Sequence, residues 1–402
     1  MLIVQKFGGS SVADAAKLRR VAGIIADTKQ AGNDVVVVLS AQGDTTDDLI
    51  AKAQEITASP SKRELDMLMV TGEQISISLC AMALQEMGVP AISLLGWQVG
   101  MKTNSQYGNA QIKTMNPERI RRELDEGKVV LVAGFQGINK HDDMTTLGRG
   151  GSDTTAVAIA AKMHADLCQI YTDVEGVYTA DPRKVPEARK LDEITYDEML
   201  ELASMGAQVL HNRSVELAKR YGVQMEVLSS YVRKPGTIVK EVTKGMEETK
   251  ISGIARDDKI ARIALVGLKD EPGIAVKVFR VLAKEKINVD IILQSIGRSD
   301  TKDISFTVAR TEMEHAQAAL EAAKELIGYD HLTVNDHVCK LSIVGAGMIN
   351  QPGIAVMMFE ALADAQVNIH MISTSEIKIS VLIDLEQADV AMRAVHRKFF
   401  EE

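Results

Sequence analysis

An apolar strand that runs directly into a glycine pair opens the chain: Leu2-Ile3-Val4-Gln5-Lys6-Phe7-Gly8-Gly9-Ser10-Ser11-Val12. Two glycines let backbone N–H groups approach an anion, because no Cβ stands in the way. Lys6 places a positive charge beside those amides. Ser11 and Asp14 form a capping-box pattern, which predicts a helix that starts here with its positive end toward the same anion. The stretch has the form of a phosphate-binding loop, but a glycine pair more often closes a tight turn, so the rest of the chain must decide between the two.

Length and composition favour a soluble protein of several domains. The 402 residues predict two or three domains, and an apolar fraction of 46% is ample for packed cores. A net charge of −9 argues against nucleic acid or an anionic membrane as the main partner. No apolar run approaches the roughly 18 residues of a membrane span, and no signal sequence is evident, so we expect a cytoplasmic location. Cys80, Cys168 and Cys339 lack the spacing of a zinc site and are expected to be buried thiols.

Strand-like and helix-like patterns alternate through residue 240. Continuous apolar runs at residues 35–39 and 129–133 are separated by helical patterns such as the one near 47–56. This alternation predicts a three-layer α/β/α domain with a mostly parallel sheet. Ligands bind such sheets beyond the carboxyl ends of the strands, where this chain has small polar segments. These segments are residues 6–11, 40–47, 134–137 and 171–183, and a glycine-rich stretch at 145–156 opens a further helix.

The last part of the chain contains an internal repeat. Pro-Gly-Ile-Ala-Val occurs at residues 272–276 and again at 352–356. Each copy has the order of a βαββαβ ferredoxin-like module, but the second copy ends in a helix without its last strand. We therefore expect residues 250–255, which precede the first copy, to supply that strand, so that the first module is inserted within the second. A charged stretch at 241–250 is the expected linker.

Common nucleotide-binding signatures are missing. Gly345-Ala346-Gly347 follows a strand, but Asn350 stands where the dinucleotide fingerprint has its third glycine. The chain has neither a Gly-x-x-x-x-Gly-Lys-Ser/Thr loop nor the protein-kinase loops. Any phosphate must therefore be bound by a loop of a different kind from these.

Five motifs in order resemble the aspartate kinase family, and the repeats resemble ACT regulatory domains. The resemblance covers essentially the whole chain and implies a catalytic amino acid kinase domain at residues 1–245. It further implies a linker and strand at 246–260, a first ACT domain at 261–337 and a second at 338–402. The motifs are Lys-Phe-Gly-Gly-Ser-Ser (6–11), Ser-Ala-x-Gly-Asp-Thr-Thr-Asp (40–47), Thr-Gly-Glu (71–73), Gly-Arg-Gly-Gly-Ser-Asp-Thr-Thr-Ala (148–156) and Tyr-Thr-Asp-Val-x-Gly-Val-Tyr-Thr-Ala-Asp-Pro-Arg (171–183).

The resemblance implies phosphorylation of the β-carboxylate of L-aspartate by ATP with Mg²⁺, which gives 4-phospho-L-aspartate. This is the first step toward lysine, threonine, methionine and, in many bacteria, diaminopimelate. We predict no metal-ligating residues, because the cysteines, histidines and methionines lack the spacing of a metal site. Two alternatives are a kinase of another amino acid and a catalytically silent amino-acid sensor.

The resemblance also implies roles for single residues. Lys6, with the amides of Gly8 and Gly9, would neutralise charge on the transferred phosphate, and Asp153 would orient Lys6. Arg149 would hold an aspartate carboxylate, and Glu73 would bind the α-amino group. Without the family context, Arg149 and Asp153 could simply pair with each other. The other implied substrate residues are Ser40, Thr45, Thr46, Gly150, Gly151 and Ser152, and the other nucleotide residues are Phe7, Ser10, Thr172, Asp173, Tyr178, Asp181, Arg183 and Lys184.

The repeats imply feedback inhibition by lysine, threonine or both. By resemblance, the effector would lie between the first module and the second module of a partner chain, so that inhibition depends on a homo-oligomer. Alternatively, the modules could serve dimerisation only. Met246 stands where an internal start would give a second subunit containing only the ACT region. The implied effector residues are Asp270, Gly273, Ile274, Ala275, Gln294, Asn368, Ile369, Thr374 and Ser375.

Overall fold

The structure is a computed structural model that describes residues 1–204, 209–242, 251–296 and 301–401. The described chain divides into two compact units. The first contains Met1–Tyr178, Lys190–Ser204 and residues 209–242, and the second contains Thr179–Arg189 and the described residues from 251 onward. Most of the expected linker, including Met246, lies outside the described residues.

The first unit carries the amino-terminal elements. Its strands are β1 (Leu2–Phe7), β2 (Asp34–Leu39), β3 (Ala91–Leu94), β4 (Lys102–Thr103), β5 (Ile112–Thr114), β6 (Val129–Ala133), β7 (Gln136–Ile138), β8 (Met144–Thr146), β9 (Leu167–Thr172), β10 (Glu193–Thr195), β11 (Met225–Ser229) and β12 (Thr237–Lys240). Its helices are α1 (Ala15–Gln30), α2 (Thr45–Ile56), α3 (Lys62–Met69), α4 (Thr71–Glu86), α5 (Glu118–Asp125), α6 (Gly151–Met163), α7 (Tyr196–Ser204) and α8 (Asn212–Tyr221).

A mostly parallel sheet forms the centre of this unit. Its strand order is β10-β12-β11-β9-β1-β2-β6-β3, and the only antiparallel neighbours among these strands are β11 and β12. Alternate side chains of β2 and β6 pack with α1 and α4 in one core, and α5 and α6 pack against the same sheet. The three-layer α/β/α prediction is confirmed, because apolar runs such as Val35–Leu39 are buried along their whole length. A second, smaller sheet has the order β5-β4-β7-β8.

Helix α1 begins later than predicted. Gly9–Ser11 form a short 3-10 turn, and Asp14 is the N-cap of α1, since its carboxylate accepts a hydrogen bond from Lys17 N at 2.8 Å. The Ser11 hydroxyl instead donates to Ser230 Oγ at 2.8 Å. The prediction of a capping box at Ser11 is therefore wrong. The amides nearest the glycine pair belong to the 3-10 turn rather than to α1.

One helical stretch of the described chain, Lys62–Glu86, could cross a membrane by its length and composition alone. Its most apolar window is 56% buried inside the protein, and core helices of soluble proteins meet the same criteria. Val70 joins α3 to α4 within this stretch.

The second unit contains the repeats. Its strands are β13 (Gly253–Asp257), β14 (Ile260–Lys269), β15 (Ile292–Ile296), β16 (Thr301–Ala309), β17 (His331–Asn335), β18 (Val338–Val344), β19 (Met371–Thr374) and β20 (Lys378–Asp384). Its helices are α9 (Ile274–Lys284), α10 (Met313–Ala322), α11 (Lys324–Ile327), α12 (Ile354–Asp364) and α13 (Ala388–Phe400).

Each repeat forms a four-stranded antiparallel sheet. The first module has the order β15-β16-β14-β17, and the second has the order β13-β18-β20-β19. β13 precedes the first module in sequence but pairs with β18, so that Ile254 lies opposite Ile343. This is the pairing that the missing-strand hypothesis requires. The second module is therefore assembled from chain segments on both sides of the first.

Thr179–Arg189 also belongs to the second unit, although it follows β9 in sequence. Ala180 and Val185 are buried in the core of the second module. The carbonyl oxygen of Thr179 accepts a hydrogen bond from Ile254 N at 2.7 Å, and its hydroxyl lies 3.0 Å from His396 Nε2. This segment is thus anchored to the second module by both apolar packing and hydrogen bonds.

Candidate active site

Lys6 and Asp153 form the central ion pair of the candidate site. Lys6 lies on β1, in the interior of the main sheet, and Asp153 lies in the first turn of α6. Lys6 Nζ is 2.6 Å from Asp153 Oδ1, and each side chain is 12% exposed. Because little water screens the pair, the carboxylate holds the ammonium group in place. The contact predicted between these two residues is present.

Gly8 leaves space beside this lysine, whereas Gly9 allows two loops to approach each other closely. A Cβ on Gly8 would lie 3.5 Å from Lys6 Nζ. A Cβ on Gly9 would lie 2.7 Å from the carbonyl oxygen of Ala41, which is too close for any other residue. Gly9 O also accepts a hydrogen bond from Gly43 N at 3.0 Å. The loops after β1 and β2 therefore meet at Gly9, and backbone lies next to the ammonium group.

Phe7 and Ser10 contribute in different ways to this loop. The Phe7 side chain is fully buried and stacks on Tyr171, with ring centroids 4.4 Å apart. Its side chain therefore belongs to the core, and only its backbone is available to a ligand. Ser10 is exposed, and its carbonyl oxygen accepts a hydrogen bond from the Tyr231 hydroxyl at 3.1 Å.

Helix α6 begins in the predicted glycine-rich stretch. Gly150 is its N-cap, with φ of 66°, in the left-handed region that favours glycine. A Cβ on Gly150 would clash with the side chain of His211, so this position also needs a residue without a side chain. Gly151 and the buried Ser152 form the first turn of α6, and Ser152 Oγ lies 2.5 Å from the place where a Cβ on Gly134 would be. Close packing thus fixes the start of α6 beside the end of β6.

Glu73 is a buried acid in the first turn of α4. It is 3% exposed, and its Oε1 accepts a hydrogen bond from Ala41 N at 3.1 Å, whereas its Oε2 is buried without a partner among the described residues. Burial raises the pKa of Glu73 to about 7, because a charged carboxylate is poorly solvated there. A cationic ligand group would supply the missing partner of Oε2.

Arg149 is exposed on the loop between β8 and α6. Its side chain has no ion pair or hydrogen bond with another described residue, and Asp153 pairs with Lys6 instead. The alternative in which Arg149 and Asp153 pair with each other is therefore not seen. A guanidinium group in this position can bind a carboxylate through two parallel hydrogen bonds.

The predicted hydroxyl residues lie where β2 leads into α2. Ser40 N donates to Phe7 O at 3.2 Å, which ties the ends of β1 and β2 together. The Thr45 hydroxyl donates to Gln42 O at 2.5 Å, and Thr46 follows in the first turn of α2. A Cβ on Gly72 would lie 3.5 Å from the Thr45 side chain. The structure thus brings Thr45 close to the helix start that carries Glu73.

The predicted nucleotide residues are divided between the two units. In the first unit, Thr172 ends β9 and its hydroxyl donates to Asp173 Oδ1 at 3.0 Å, while Tyr178 forms an isolated bridge with Lys190. In the second unit, Arg183 donates to both carboxylate oxygens of Asp181, which lowers the pKa of that acid. The nucleotide role of these residues stays a prediction.

Lys184, the remaining predicted nucleotide residue, lies in the second unit. Its Nζ is 3.3 Å from the carboxylate of Asp389 on α13. Asp389 also pairs with Arg256 on β13. The side chain of Lys184 is therefore part of the packing of Thr179–Arg189 on the second module.

The predicted effector residues lie around the start of α9 and on β15 in the first module, and on either side of β19 in the second. Asp270 pairs with Lys302 at 2.7 Å, and Gly273 is the N-cap of α9 with φ of 93°. Ile274 and Ala275 form the first turn of α9, and Gln294 lies on β15. In the second module, Asn368 and Ile369 precede β19, Thr374 ends it, and Ser375 N donates to Lys378 O at 2.8 Å. Their effector role stays a prediction.

Two charged residues near the site were missed by the sequence reasoning. Asp66 on α3 is fully buried, and Arg213 on α8 donates to two backbone carbonyls of the first unit. A signal for Asp66 was available, because it shares a helix face with the buried Met69, three residues later. Arg213 had no comparable signal, since its partners are distant in sequence.

Comparison with known proteins identifies the family. A family model described as the amino acid kinase family matches residues 1–229, and one described as the ACT domain matches residues 263–323 and 341–399. An aspartokinase of Mycolicibacterium smegmatis is 52% identical over 403 residues, covering 99% of this chain and 96% of the relative. The chain belongs to the aspartokinase family. Like the other members of the aspartokinase family, it is a phosphotransferase whose acceptor is a carboxyl group.

Two solved structures of the aspartokinase family resemble this fold over its whole length. Escherichia coli aspartokinase III in complex with aspartate and ADP, in the R-state, has a TM-score of 0.83 at 27% identity and covers 100% of both chains. The same enzyme in complex with lysine and aspartate, in the T-state, has a TM-score of 0.79 at 28% identity, again covering 100% of both chains.

Proposed function

We propose that this chain transfers the γ-phosphoryl group of ATP to the β-carboxylate of L-aspartate. A bond forms between a carboxylate oxygen and the γ-phosphorus as the bond to the ADP oxygen breaks, and the products are 4-phospho-L-aspartate and ADP. The observation that carries the proposal is the Lys6–Asp153 pair at 2.6 Å beside Gly8. Similarity to a structure that contains aspartate and ADP supports it.

The phosphoryl end of the site consists of Lys6, Gly8, Gly9 and Asp153. Phosphoryl transfer is accelerated mainly by alignment of the reactants and by neutralisation of charge on the phosphate oxygens. The Lys6 ammonium lies next to the space left by Gly8, where a phosphate group would be bound. An ionised carboxylate acceptor has no proton to lose, so Asp153 positions Lys6 and does not act as a base.

The acceptor end consists of Glu73 and Arg149. Aspartate is a zwitterion with one ammonium and two carboxylate groups, and this end offers one carboxylate and one guanidinium. Glu73 would bind the α-ammonium through its unpartnered Oε2, and Arg149 would bind a carboxylate. Ser40, Thr45 and Thr46 would line the same pocket.

The nucleotide is proposed to be ATP with Mg²⁺. Thr172, Asp173 and Tyr178 would contact the nucleotide beyond the end of β9. Magnesium in such sites usually keeps several waters and binds the substrate phosphates. When bound, the ion neutralises charge that moves onto the leaving oxygen. Lys6 would keep its contact with the transferred phosphate throughout.

We further propose that the ACT modules confer inhibition by lysine, threonine or both, through an assembly of at least two chains. The T-state structure of E. coli aspartokinase III contains lysine, which supports lysine as one effector. The reaction would take place in the cytoplasm, as the first step toward lysine, threonine, methionine and diaminopimelate.

Hydroxylamine trapping of the acyl phosphate tests this function. The protein is incubated with MgATP and with aspartate, glutamate or N-acetylglutamate in turn, and the hydroxamate product is measured. We expect product from aspartate alone, suppressed when lysine or threonine is added singly or together. Product from glutamate instead would reassign the acceptor. No product from aspartate, with folded protein that binds lysine, would favour a silent sensor.

A further inference from the structure

A fully buried carboxylate joins two segments near the acceptor end, the loop at Gly108 and the end of β8 at Thr146. Asp66 on α3 is 0% exposed. Its oxygens accept hydrogen bonds from Gly108 N at 3.0 and 3.1 Å, from Thr146 N at 2.9 Å and from the Thr146 hydroxyl at 2.7 Å. Burying a carboxylate is costly unless donors replace its water, and here two backbone amides and a hydroxyl do so. Asp66 therefore fixes Gly108 relative to Thr146.

Arg213 joins the same two segments slightly further along the chain, at Ala110 and Leu147. Its Nη1 donates to Leu147 O at 2.8 Å, and its Nη2 donates to Ala110 O at 2.8 Å. Ala110 N also donates to Thr146 O at 2.8 Å. The guanidinium fork thus spans the two carbonyls as Asp66 spans the two amides. We call Asp66 and Arg213, with the four backbone groups that they bind (Gly108 N, Thr146 N, Ala110 O and Leu147 O), the loop clamp.

The loop clamp ends two residues before Arg149. Gly148, the residue between, has φ of 77°, and a Cβ on it would lie 2.9 Å from Asn109 Oδ1. On the far side of Arg149, Gly150 packs against His211, the N-cap of α8, which lies two residues before Arg213. The backbone is therefore held on both sides of Arg149, while its side chain remains exposed.

We propose that Asp66 and Arg213 are positioning residues that preorganise Arg149 for the carboxylate of the acceptor substrate. The proposal rests on the carboxylate-binding role proposed for Arg149. Arg149 has no hydrogen-bonding partner of its own among the described residues, so the backbone on either side must set its direction. A displaced guanidinium would lose the two-pronged geometry on which carboxylate recognition depends.

Steady-state kinetics of the variants Asp66→Asn and Arg213→Lys test whether the loop clamp positions Arg149. The first change turns an amide N–H₂ group toward N–H donors, and the second leaves a single ammonium that cannot span two carbonyls. We expect KM for aspartate to rise about tenfold or more in each variant, with KM for ATP changed less than about twofold. The matched control is Glu123→Gln, which alters a buried acid of α5 that pairs with Arg119 and Lys128. It should leave both KM values unchanged.

A double-mutant cycle separates positioning from general loss of structure. If the clamp acts through Arg149, adding Asp66→Asn or Arg213→Lys to Arg149→Ala should raise KM for aspartate by less than about twofold further. Additive effects, equal rises in both KM values, or an unchanged KM for aspartate would overturn the proposal. If Asp66→Asn fails to fold, Arg213→Lys decides the question alone. Failure of the proposed function would show differently, because the wild type and Glu123→Gln would then make no aspartyl phosphate.

Discussion

The phosphoryl end and the acceptor end of the site distribute charge differently. At the phosphoryl end, Lys6 is paired with Asp153 at 2.6 Å, so its charge is partly balanced and its position is fixed. At the acceptor end, the Arg149 side chain and one oxygen of Glu73 have no partner among the described residues. A protein-supplied partner would suit the role proposed for Lys6, which is to stay aligned while the charge on the phosphate changes. Unpaired groups suit a zwitterionic substrate, which brings both partners with it.

Removal of Lys6 should have the largest effect of these changes, a loss of catalytic rate at the phosphoryl end. We expect Lys6→Ala to lower kcat about 10³-fold, because one preorganised donor to the transferred group is commonly worth that much. The rate of ADP release in a coupled assay measures the loss. Lys219→Ala is the control, since Lys219 pairs at the surface with Asp197 at 2.6 Å. A loss below about tenfold in Lys6→Ala would show that the charge on Lys6 is dispensable.

Replacement of Arg149 tests whether the acceptor end needs a planar donor. We expect Arg149→Lys to raise KM for aspartate about tenfold to thirtyfold, since an ammonium keeps the charge but loses the second parallel hydrogen bond. KM for ATP should stay unchanged. Initial rates at varied aspartate and saturating ATP give the value. An equal rise in KM for ATP would mean that Arg149 serves both ends.

The pH dependence of aspartate binding tests the charge on Glu73. Its pKa of about 7 means that the ionised fraction rises about tenfold between pH 6 and pH 8. We therefore expect KM for aspartate to fall about tenfold over that range, and aspartate binding below pH 7 to release a proton. Calorimetry in buffers of different ionisation enthalpy measures the proton. Glu73→Gln should show neither effect, and a pH-independent wild type would exclude Glu73 as the ammonium partner.

The same group links pH to folding stability. The folded pKa of Glu73, about 7, lies above its ordinary value of 4.5. Its protonated form therefore contributes stability that is fully present below pH 4.5 and is lost as pH rises through about 7. Glu73→Gln should consequently have a higher Tm than the wild type at pH 8, with the difference shrinking toward pH 5. A lower Tm for the variant at pH 8 would contradict this account.

The smallest effect is expected at the cap of α1. Asp14→Ala should lower the free energy of unfolding by about 1 kcal/mol, because the α1 N-cap loses its side-chain acceptor. It should leave kcat and KM for ATP unchanged, since the amides beside the glycine pair belong to the 3-10 turn. Denaturant unfolding gives the first value. A raised KM for ATP would indicate that the start of α1 also contributes to the phosphoryl end.

Structural features that depend on local sequence pattern could be predicted from the sequence. The uninterrupted apolar run of β2 predicted a strand buried on both faces, and the repeat predicted that β13 completes the second module. The Lys6–Asp153 contact followed from the family motifs, because composition and spacing alone could not relate a strand to a distant helix.

Features decided by distant partners were not predictable. Ser11 and Asp14 are both good capping residues, and Ser230, 219 residues away, decides that Ser11 does not cap. The helix face of Asp66 signals its burial, but its partner Thr146 lies 80 residues away and offers no charge that would mark it. In each case the deciding hydrogen bond exists only once the sheet has brought the segments together.

Because Thr179–Arg189 is attached to the second module, the chain cannot be cut cleanly into two fragments that match the two units. No single break in the polypeptide separates the two units, because this segment is encoded within the first. A fragment that starts after residue 242 would lack Ala180 and Val185, so apolar side chains such as Ile254 would lose part of their cover. Exposed apolar patches promote association. The residues of the two modules would then expose more apolar surface as a separate polypeptide than they do in the full chain.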